Sequence, residues 1–504
     1  MNLYHLQNGS DIRGTAIETE SEMITLTSDI AKLFAKGFVT YLKNHFHKES
    51  LCVAVGHDSR LSAESLKKSI IEGMVSLGVK VYDTHLSSTP SMFCATQFEH
   101  YQCDGAIMIT ASHLPFQRNG MKFFDRNGGL NKADIKEIIS YAEENSFEET
   151  NDGSVEDRLL IDDYAHFLRE LICERVNHPT SYAQPLSGLK IVVDAGNGSG
   201  GFYVSKVLEP LGADCSGSQF LNPDGSFPNH IPNPEDKKAM ASIRQAVLNN
   251  HADLGIIFDT DVDRSSAVDK QGHPISRNAI VALAAALVAK KHPHTTIVTD
   301  STTSDELHDF LENDLQVKHL RYRRGYKNVI NKAMELNEQG IDCQLAIETS
   351  GHAAFKENYF LDDGAYLATL IVIETALMYQ NNQSIDQLIA SLKHPLEAKE
   401  VRLPILCDDF QDYGSDVLQT LFNYASSCPS FIVANDNHEG IRVSFDENHG
   451  NGWFLLRQSL HDPILPINVE SKEEGGCKKI LAALYDVLKD FQALDLRPLE
   501  KEIA

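Results

Sequence analysis

In Leu189-Lys-Ile-Val-Val-Asp-Ala-Gly-Asn-Gly-Ser-Gly-Gly201 an apolar segment runs straight into a cluster of glycines. An apolar run ends at Asp194, and a glycine-rich turn comes at once. Gly196 to Gly201 fits the spacing G-x-G-x-x-G, and an acidic residue, Asp214, stands further on. That is the pattern of a dinucleotide-binding turn between a strand and a helix. The competing reading is a tight strand-to-helix turn with no cofactor. Asp194 sits at the strand end, and three other polar segments would have no task in a simple dehydrogenase. The tight turn is therefore preferred, with a helix running on through Leu211.

The same rhythm recurs on either side. Leu51–Val55, Val79–Tyr82 and Ala106–Ile109 read as strands, with a helix over Ser62–Leu77. After Leu189–Asp194 comes the strand Leu254–Phe258. A third start is made at Thr295–Thr299, with a helix near Ser304–Asn313, the strand Gln344–Ile347 and a long helix over Asp363–Tyr379. Strands alternating with amphipathic helices predict mostly parallel sheets faced by helices. Beyond about residue 393 the texture changes. Short strands at Phe431–Val433, Gly440–Phe445 and Trp453–Arg457 precede a closing helix, Gly476–Ala493, as in a smaller α+β domain. Asn222–Glu235 reads as an ordered loop.

The chain has 504 residues. At about 150 residues per domain it makes roughly three to four domains, large enough to fold without disulfide or metal staples. The expected division is 1–155, 156–273, 274–392 and 393–504. The net charge of −26 repels phosphate backbones and anionic lipid, which argues against nucleic-acid and membrane-surface roles. A local cluster of Arg and Lys can still bind a small anion. The nine cysteines are scattered with no C-x-x-C pair, so reduced thiols in a cytoplasmic compartment are expected. No signal peptide is read at the first residues. The longest apolar run, Ala279–Ala289, is too short to span a bilayer and fits a buried helix.

Four segments could carry chemistry. Thr110-Ala-Ser112-His113 directly succeeds a strand, and Arg118-Asn-Gly-Met-Lys122 comes next. A serine at the carboxyl end of a strand, flanked by His113 and Lys122, is placed as a nucleophile or phosphate carrier; a cap or turn serine is the competing reading. Asp259-Thr-Asp261-Val-Asp263-Arg264 succeeds another strand. Three alternating carboxylates form an oxygen site for a hard cation, and the positions of Arg264 and Lys270 disfavour an EF-hand. Glu348-Thr-Ser350-Gly-His352 suits hydrogen bonding to sugar hydroxyls, or is a polar glycine turn. Arg457-Gln-Ser459-Leu-His461-Asp-Pro463, with Arg442 upstream, could clamp a phosphate or form surface charge.

Together these motifs resemble the α-D-phosphohexomutases. Thr110-Ala-Ser-His-Leu-Pro115 with Asn119-Gly-Met-Lys122 is similar to the family's T-A-S-H-N-P and N-G-x-K. Asp259–Arg264 is similar to D-G-D-x-D-R, and Glu348–His352 to E-x-S-G-H. Near the start, Ser10-Asp-Ile-Arg13-Gly14 resembles Y-D-I-R-G, and Gly56-His-Asp58-Ser-Arg60 resembles G-x-D-x-R. Asn229-His-Ile-Pro-Asn-Pro234 resembles the H-x-P-x-P segment of the phosphomannomutase type. The likeness runs over essentially the whole chain, in the family's order.

The resemblance implies an α/β fold of four domains, three related α/β domains and a C-terminal α+β domain, around a central cleft. It implies that Ser112 is a phosphoserine and that Asp259, Asp261 and Asp263 join it in holding one Mg²⁺. Arg13, Lys122 and Arg264 would offset phosphoryl charge, with Lys122 or His113 moving protons. Glu348, Ser350 and His352 would contact sugar hydroxyls. Arg457 and Ser459 would bind the non-reacting phosphate; His461 could donate to it in place of the family's hydroxyl, and Arg324-Gly-Tyr-Lys327 could supply cations where a Lys is missing. The implied activity interconverts 1- and 6-phosphates of mannose or glucose through a hexose 1,6-bisphosphate, which also serves as activator. Phosphoglucosamine mutase and a non-catalytic phosphosugar-binding protein are the alternatives. A monomer or homodimer is expected.

Departures are also visible. Leu114 replaces the family's Asn. In the phosphate loop Leu460, His461 and Asp462 replace Gly, Thr and Glu. Asp300 or Ser301 stands where a Lys is common.

Overall fold

The computed structural model describes residues 2–459 and 462–504. The chain forms two compact units. One runs to Lys291 and takes in Gln344–Ala390; the other joins His292–Cys343 to Ser391–Ala504.

The first unit opens on an eight-stranded sheet in which Cys52–His57 lies between Lys80–Leu86 and Gly105–Ile109, all parallel. Val53, Ala54 and Val55 are sealed, as expected of a strand covered on both faces. The helix Ser28–Phe46 begins at Thr27, whose side chain accepts the Ile30 N–H, and presents Phe34, Phe38 and Leu42 to the core. These positions recur every four residues and so share one face. Phe38 meets Phe123 with ring centroids 5.0 Å apart. Trimming such a buried Phe to Ala costs about 3–5 kcal/mol.

The parallel register sets the site. His57 pairs with Leu86 and with Ile109, so all three strands end at one level. The adjoining segments Asp58–Arg60, Ser87–Thr89 and Thr110–Ser112 leave the sheet on the same edge. Parallel sheets place ligands at this carboxyl edge. Sequence periodicity does not reveal the strand Arg118–Asp125, which runs antiparallel beside Gly105–Ile109 and sets Lys122 level with Met108. Gly120 stands opposite Arg13 there, and a Cβ on it would come 2.1 Å from the Ile12 carbonyl oxygen.

A second sheet in the unit pairs Ile191–Asp194 parallel to Leu254–Phe258, with Ser265–Asp269 antiparallel beyond. The glycine turn after Asp194 is packed against protein. Ser199 N–H donates to the Thr260 carbonyl at 2.7 Å, and Asn197 N–H to that of Phe220 at 2.8 Å. A Cβ on Gly198 would sit 2.5 Å from the Thr260 oxygen. Two of the amides a pyrophosphate would need are therefore occupied, and Asp214 is ion-paired with Lys190 at 3.3 Å. The turn serves close packing, as the sequence favours. Beyond it the chain departs from the expected α-helix. It takes wide π turns over Tyr203–Leu208 and a 3₁₀ turn, Glu209–Leu211, in which Pro210 has no N–H to continue a ladder.

Residues 344–390 bring the hairpin of Cys343–Ile347 and Ala353–Phe355, then the helix Gly364–Gln380, buried along most of its length. Tyr164 donates to Asp363 at 2.6 Å at its start, and Tyr203 meets Thr369 at 2.9 Å.

The second unit holds the parallel pair Thr296–Asp300 and Lys318–Tyr322. It also holds an antiparallel sheet ordered Glu397–Pro404, Ile464–Ser471, Gly452–Leu456, Ile441–Phe445 and Ile432–Val433. The helices Phe410–Ser427 and Gly476–Leu488 bury Val417, Leu421, Ile480, Leu481 and Leu484 against it. Among the described residues no helix is long and apolar enough to cross a membrane.

Candidate active site

The serine loop is held in a strained shape. Ser112 has φ +50°, a region that non-glycine residues enter only when their surroundings impose it. Its N–H donates to Thr110 Oγ1 at 2.9 Å, and Thr110 donates to Asp58 Oδ2 at 2.7 Å. Arg60 does most of the holding. Its guanidinium donates to the carbonyls of Leu114, Pro115 and Arg118 at 2.7, 2.9 and 2.8 Å, and to that of Ser112. Its Nε lies 3.2 Å from Asp58 Oδ2, and both side chains are sealed from solvent. Burial pushes the Asp58 carboxyl up and the Arg60 guanidinium down, and each charge opposes that push on the other. A planar fork can serve several carbonyls at once, which a lysine cannot.

Ser112 Oγ lies 3.1 Å from Asp259 Oδ2. Asp259, Asp261 and Asp263 are fully buried, and one carboxylate oxygen from each lies within 4.8 Å of the others. Three like charges so close repel unless cations offset them. Burial, then the charge of Asp263, drives Asp259 well above the carboxylate range. Burial also opposes ionisation of Asp263, but Lys122, His352 and Arg264 outweigh it and hold that carboxyl well below the range. Lys122 Nζ is 2.5 Å from Asp263 Oδ2 and 3.8 Å from Asp261 Oδ2. Arg264 Nε is 3.0 Å from Asp259 Oδ2. Asp261 is gripped from the helix Thr89–Gln97: Thr89 Oγ1 donates to its Oδ2 at 2.5 Å and Thr89 N–H to its carbonyl at 2.8 Å.

The loop fits a hard cation. Asp261 Oδ1 and Asp263 Oδ1 are buried with no hydrogen-bond partner among the described residues, a costly state for a carboxylate oxygen unless a metal completes it. Val262, between them, has φ +67°, which a β-branched residue adopts only under constraint.

The third loop closes on the second. Glu348 N–H donates to the His352 carbonyl at 2.9 Å, and Gly351 N–H to that of Glu348 at 3.0 Å. Ser350 Oγ donates to Glu348 Oε2 at 3.3 Å. His352 Nδ1 is 2.6 Å from Asp362 Oδ2 and 3.9 Å from Asp263 Oδ1. Burial disfavours its charge, but the two carboxylates prevail and raise its pKa to about 9. His113 is the opposite case. Desolvation, then the Arg264 and Arg13 guanidiniums, pushes its pKa down to about 2. His113 is nevertheless exposed as a residue, so the firmer ground for a neutral imidazole is Arg264, which donates into Nδ1 at 2.7 Å. Arg13 reaches the same neighbourhood, donating to the Thr110 carbonyl at 2.9 Å and to Asp11 at 2.7 Å.

In the second unit, Arg457 is half-buried and its Nε has no hydrogen-bond partner among the described residues. Burial and the neighbouring Arg324 guanidinium lower its pKa. Two guanidiniums that feel each other's charge suit an anion, although Glu439, Glu400 and Asp300 act on Arg457 in the opposite sense. Ser459 Oγ accepts the Asp462 N–H at 3.2 Å. Arg324 N–H donates to Glu439 Oε2 at 3.0 Å, and Ser301 donates to the same oxygen at 2.6 Å. Lys327 lies in the first turn of the helix Tyr326–Glu338. Leu460 and His461 fall outside the described residues.

Three family models match in sequence order. They are described as α/β/α domains I, II and III of phosphoglucomutase/phosphomannomutase and cover residues 5–149, 162–272 and 276–395. The chain belongs to the phosphoglucomutase/phosphomannomutase family. It is accordingly an enzyme, an intramolecular phosphotransferase by class. Among curated relatives, a phosphomannomutase/phosphoglucomutase of Pseudomonas aeruginosa is 28% identical over 87% of each chain. A phosphomannomutase of Salmonella montevideo is 29% identical over 94% of this chain and 97% of its own. A solved family protein from Burkholderia thailandensis superposes with a TM-score of 0.78 at 25% identity, covering 96% of this chain and 97% of its own.

Of the residues that family resemblance singles out, Ser112, His113, Lys122, Arg13, the three aspartates, Arg264, Glu348, Ser350 and His352 all lie in the first unit, at strand ends or on the strands beside them. Arg457, Ser459 and Lys327 lie in the second. Sequence reasoning assigned no role to Arg60, Asp58, Thr89 or Asp362. Arg60 and Asp58 had a visible signal in G-x-D-x-R; Thr89 had none, since 172 residues separate it from Asp261.

Proposed function

We propose that this protein is a Mg²⁺-dependent phosphohexose mutase that interconverts the 1- and 6-phosphates of mannose, glucose or both. Ser112 is its phosphoryl carrier and a hexose 1,6-bisphosphate is both intermediate and activator. The observation that carries this reading is Ser112 Oγ at 3.1 Å from a buried aspartate triad with two unpartnered oxygens. The names of its relatives support hexose phosphates as substrates. The working chain comprises segments 1–155, 156–273, 274–392 and 393–504, and acts in the cytoplasm as a monomer or homodimer on a free phosphosugar.

In the forward half-reaction the Ser112 Oγ–P bond breaks and a P–O bond forms to the free hydroxyl of a hexose monophosphate. The hydroxyl proton leaves to a base and the serine oxygen takes a proton back. The bisphosphate then turns over, and its other phosphoryl group returns to Ser112 by the reverse steps. We assign the proton transfers to Lys122, which acts as base only after its ammonium, paired with Asp263, has given up a proton; His113, with Nδ1 3.3 Å from Ser112 Oγ and taken by Arg264, is the second candidate. Arg264 and Arg13 stabilise the equatorial charge of the transferring group, as positioned cations do in phosphoryl transfer. His352 and Glu348 with Ser350 hold sugar hydroxyls. Arg457 and Ser459 bind the phosphate that does not react. Asp259, Asp261, Asp263 and phosphorylated Ser112 would hold Mg²⁺, which supplies charge neutralisation for the transfer.

A panel of mannose, glucose and glucosamine 1-phosphates, monitored by phosphorus NMR with Mg²⁺ and bisphosphate present, tests the reading. Conversion of a mannose or glucose phosphate supports it. Preference for the glucosamine phosphate would reassign the substrate. Binding without any turnover would leave a non-catalytic phosphosugar protein.

A further inference from the structure

At the opposite end of the parallel sheet from Ser112, two thiols are in contact. Cys52 opens the strand Cys52–His57, and Cys103 lies just ahead of the neighbouring strand Gly105–Ile109. Their sulfurs are 3.8 Å apart. Cys103 is fully buried, whereas Cys52 is partly open. The backbone around them is fixed: Cys52 N–H donates to Asp104 Oδ2 at 3.0 Å, and Asp104 N–H returns to the Cys52 carbonyl at 2.7 Å. Asp104 is itself held by Lys48 and Arg126, each at 2.7 Å. The two sulfurs thus face each other on a rigid frame.

We propose that Cys52 and Cys103 form a reversible redox site, in which a hydroperoxide oxidises Cys52 and Cys103 resolves it to a disulfide. The Cys52 thiolate attacks the peroxide's terminal oxygen, the O–O bond breaks, and the departing alkoxide or hydroxide takes a proton. The Cys103 sulfur then attacks the sulfenic sulfur, forming S–S, while the hydroxyl leaves as water with the Cys103 proton. In sum, two thiols and one hydroperoxide give one disulfide, one alcohol (water from hydrogen peroxide) and one water. The division of labour comes from the surroundings. Either thiol can donate to the other across the contact, but only Cys52 is open to a peroxide, and burial raises the Cys103 thiol. Thiolate character and access select which thiol a peroxide meets first. Burial instead raises the thiols of Cys94, Cys215 and Cys477. The site is independent of the proposed mutase reaction.

The test treats the reduced full-length protein with hydrogen peroxide, blocks free thiols with N-ethylmaleimide and reads the intact mass and the unreduced peptide map. The expected result is two fewer alkylated thiols, both recovered with dithiothreitol, and one peptide pair joined through Cys52 and Cys103. Cys52→Ser should abolish the pair. Cys103→Ser should leave a sulfenic acid on Cys52 that dimedone traps. The proposal is overturned if wild-type protein keeps both thiols alkylatable in peroxide, or if Cys428, whose pKa is lowered, is oxidised first and the pair never forms.

Discussion

Ser112 Oγ and Asp259 Oδ2 stand 3.1 Å apart, although 147 residues of chain separate them. Each comes from the carboxyl end of its own strand, one in the first sheet and one in the second. A phosphate on Ser112 would add about −1.5 to −2 charges beside three carboxylates. Lys122, Arg264, Arg13 and His352 do not balance that sum, which supports the divalent cation we propose there.

Replacement of Asp261 by Asn should act with opposite signs in the two metal states. In chelator the variant should melt above wild type, because one of three crowded like charges is gone. With Mg²⁺ the order should reverse, and the half-saturating Mg²⁺ concentration for turnover should rise at least about tenfold, the loss of one charged oxygen ligand. Thermal melts with and without Mg²⁺, together with a metal titration of activity, measure both.

Arg60→Lys keeps the charge beside Asp58 but cannot reach the four carbonyls of the serine loop together. The loop should drift, and kcat should fall about 100-fold, the cost of misplacing a reacting group by about an ångström. KM for the hexose monophosphate should change little. A rise in KM with kcat intact would show that Arg60 binds substrate rather than setting the loop.

Arg457→Ala should do the reverse. A charged hydrogen bond to phosphate contributes about 1.5–3 kcal/mol, so KM should rise roughly 10- to 150-fold with a smaller loss in kcat. Steady-state kinetics separates the two parameters.

The pH dependence rests on His352, whose pKa is raised from 6.5 to about 9 in the folded metal-free protein. The folded state then holds a proton that the unfolded chain gives up. Its stabilising contribution should be complete below pH 6.5 and disappear as pH rises through 9. The stability gap between wild type and His352→Gln, from urea unfolding in chelator, should narrow over that window. A gap that widens with rising pH would mean that the imidazole is folded neutral.

Much of the candidate site is legible in the sequence because its residues sit at strand ends. The apolar runs before Thr110, Asp259 and Glu348 mark those ends. The glycine turn after Asp194 reads as packing, and the Thr260 carbonyl against Gly198 supplies the reason. Interactions set by register escape such a reading. The strand Arg118–Asp125 carries Asn and Gly, poor strand formers, because Gly120 must let the Ile12 carbonyl pass. Thr89 looks like an ordinary cap until folding brings it to Asp261. The helices over Tyr203–Leu208 and Phe310–Asp314 widen into π turns, a distinction that periodicity over so short a span does not carry.

The most direct measurement is turnover of mannose or glucose 1-phosphate by Ser112→Ala, read by phosphorus NMR with Mg²⁺ and bisphosphate present. A folded variant should give no 6-phosphate above the enzyme-free rate, while wild-type protein shows conversion and carries one phosphoryl group on the Ser112 peptide. Conversion by the variant at the wild-type rate would contradict Ser112 as the phosphoryl carrier.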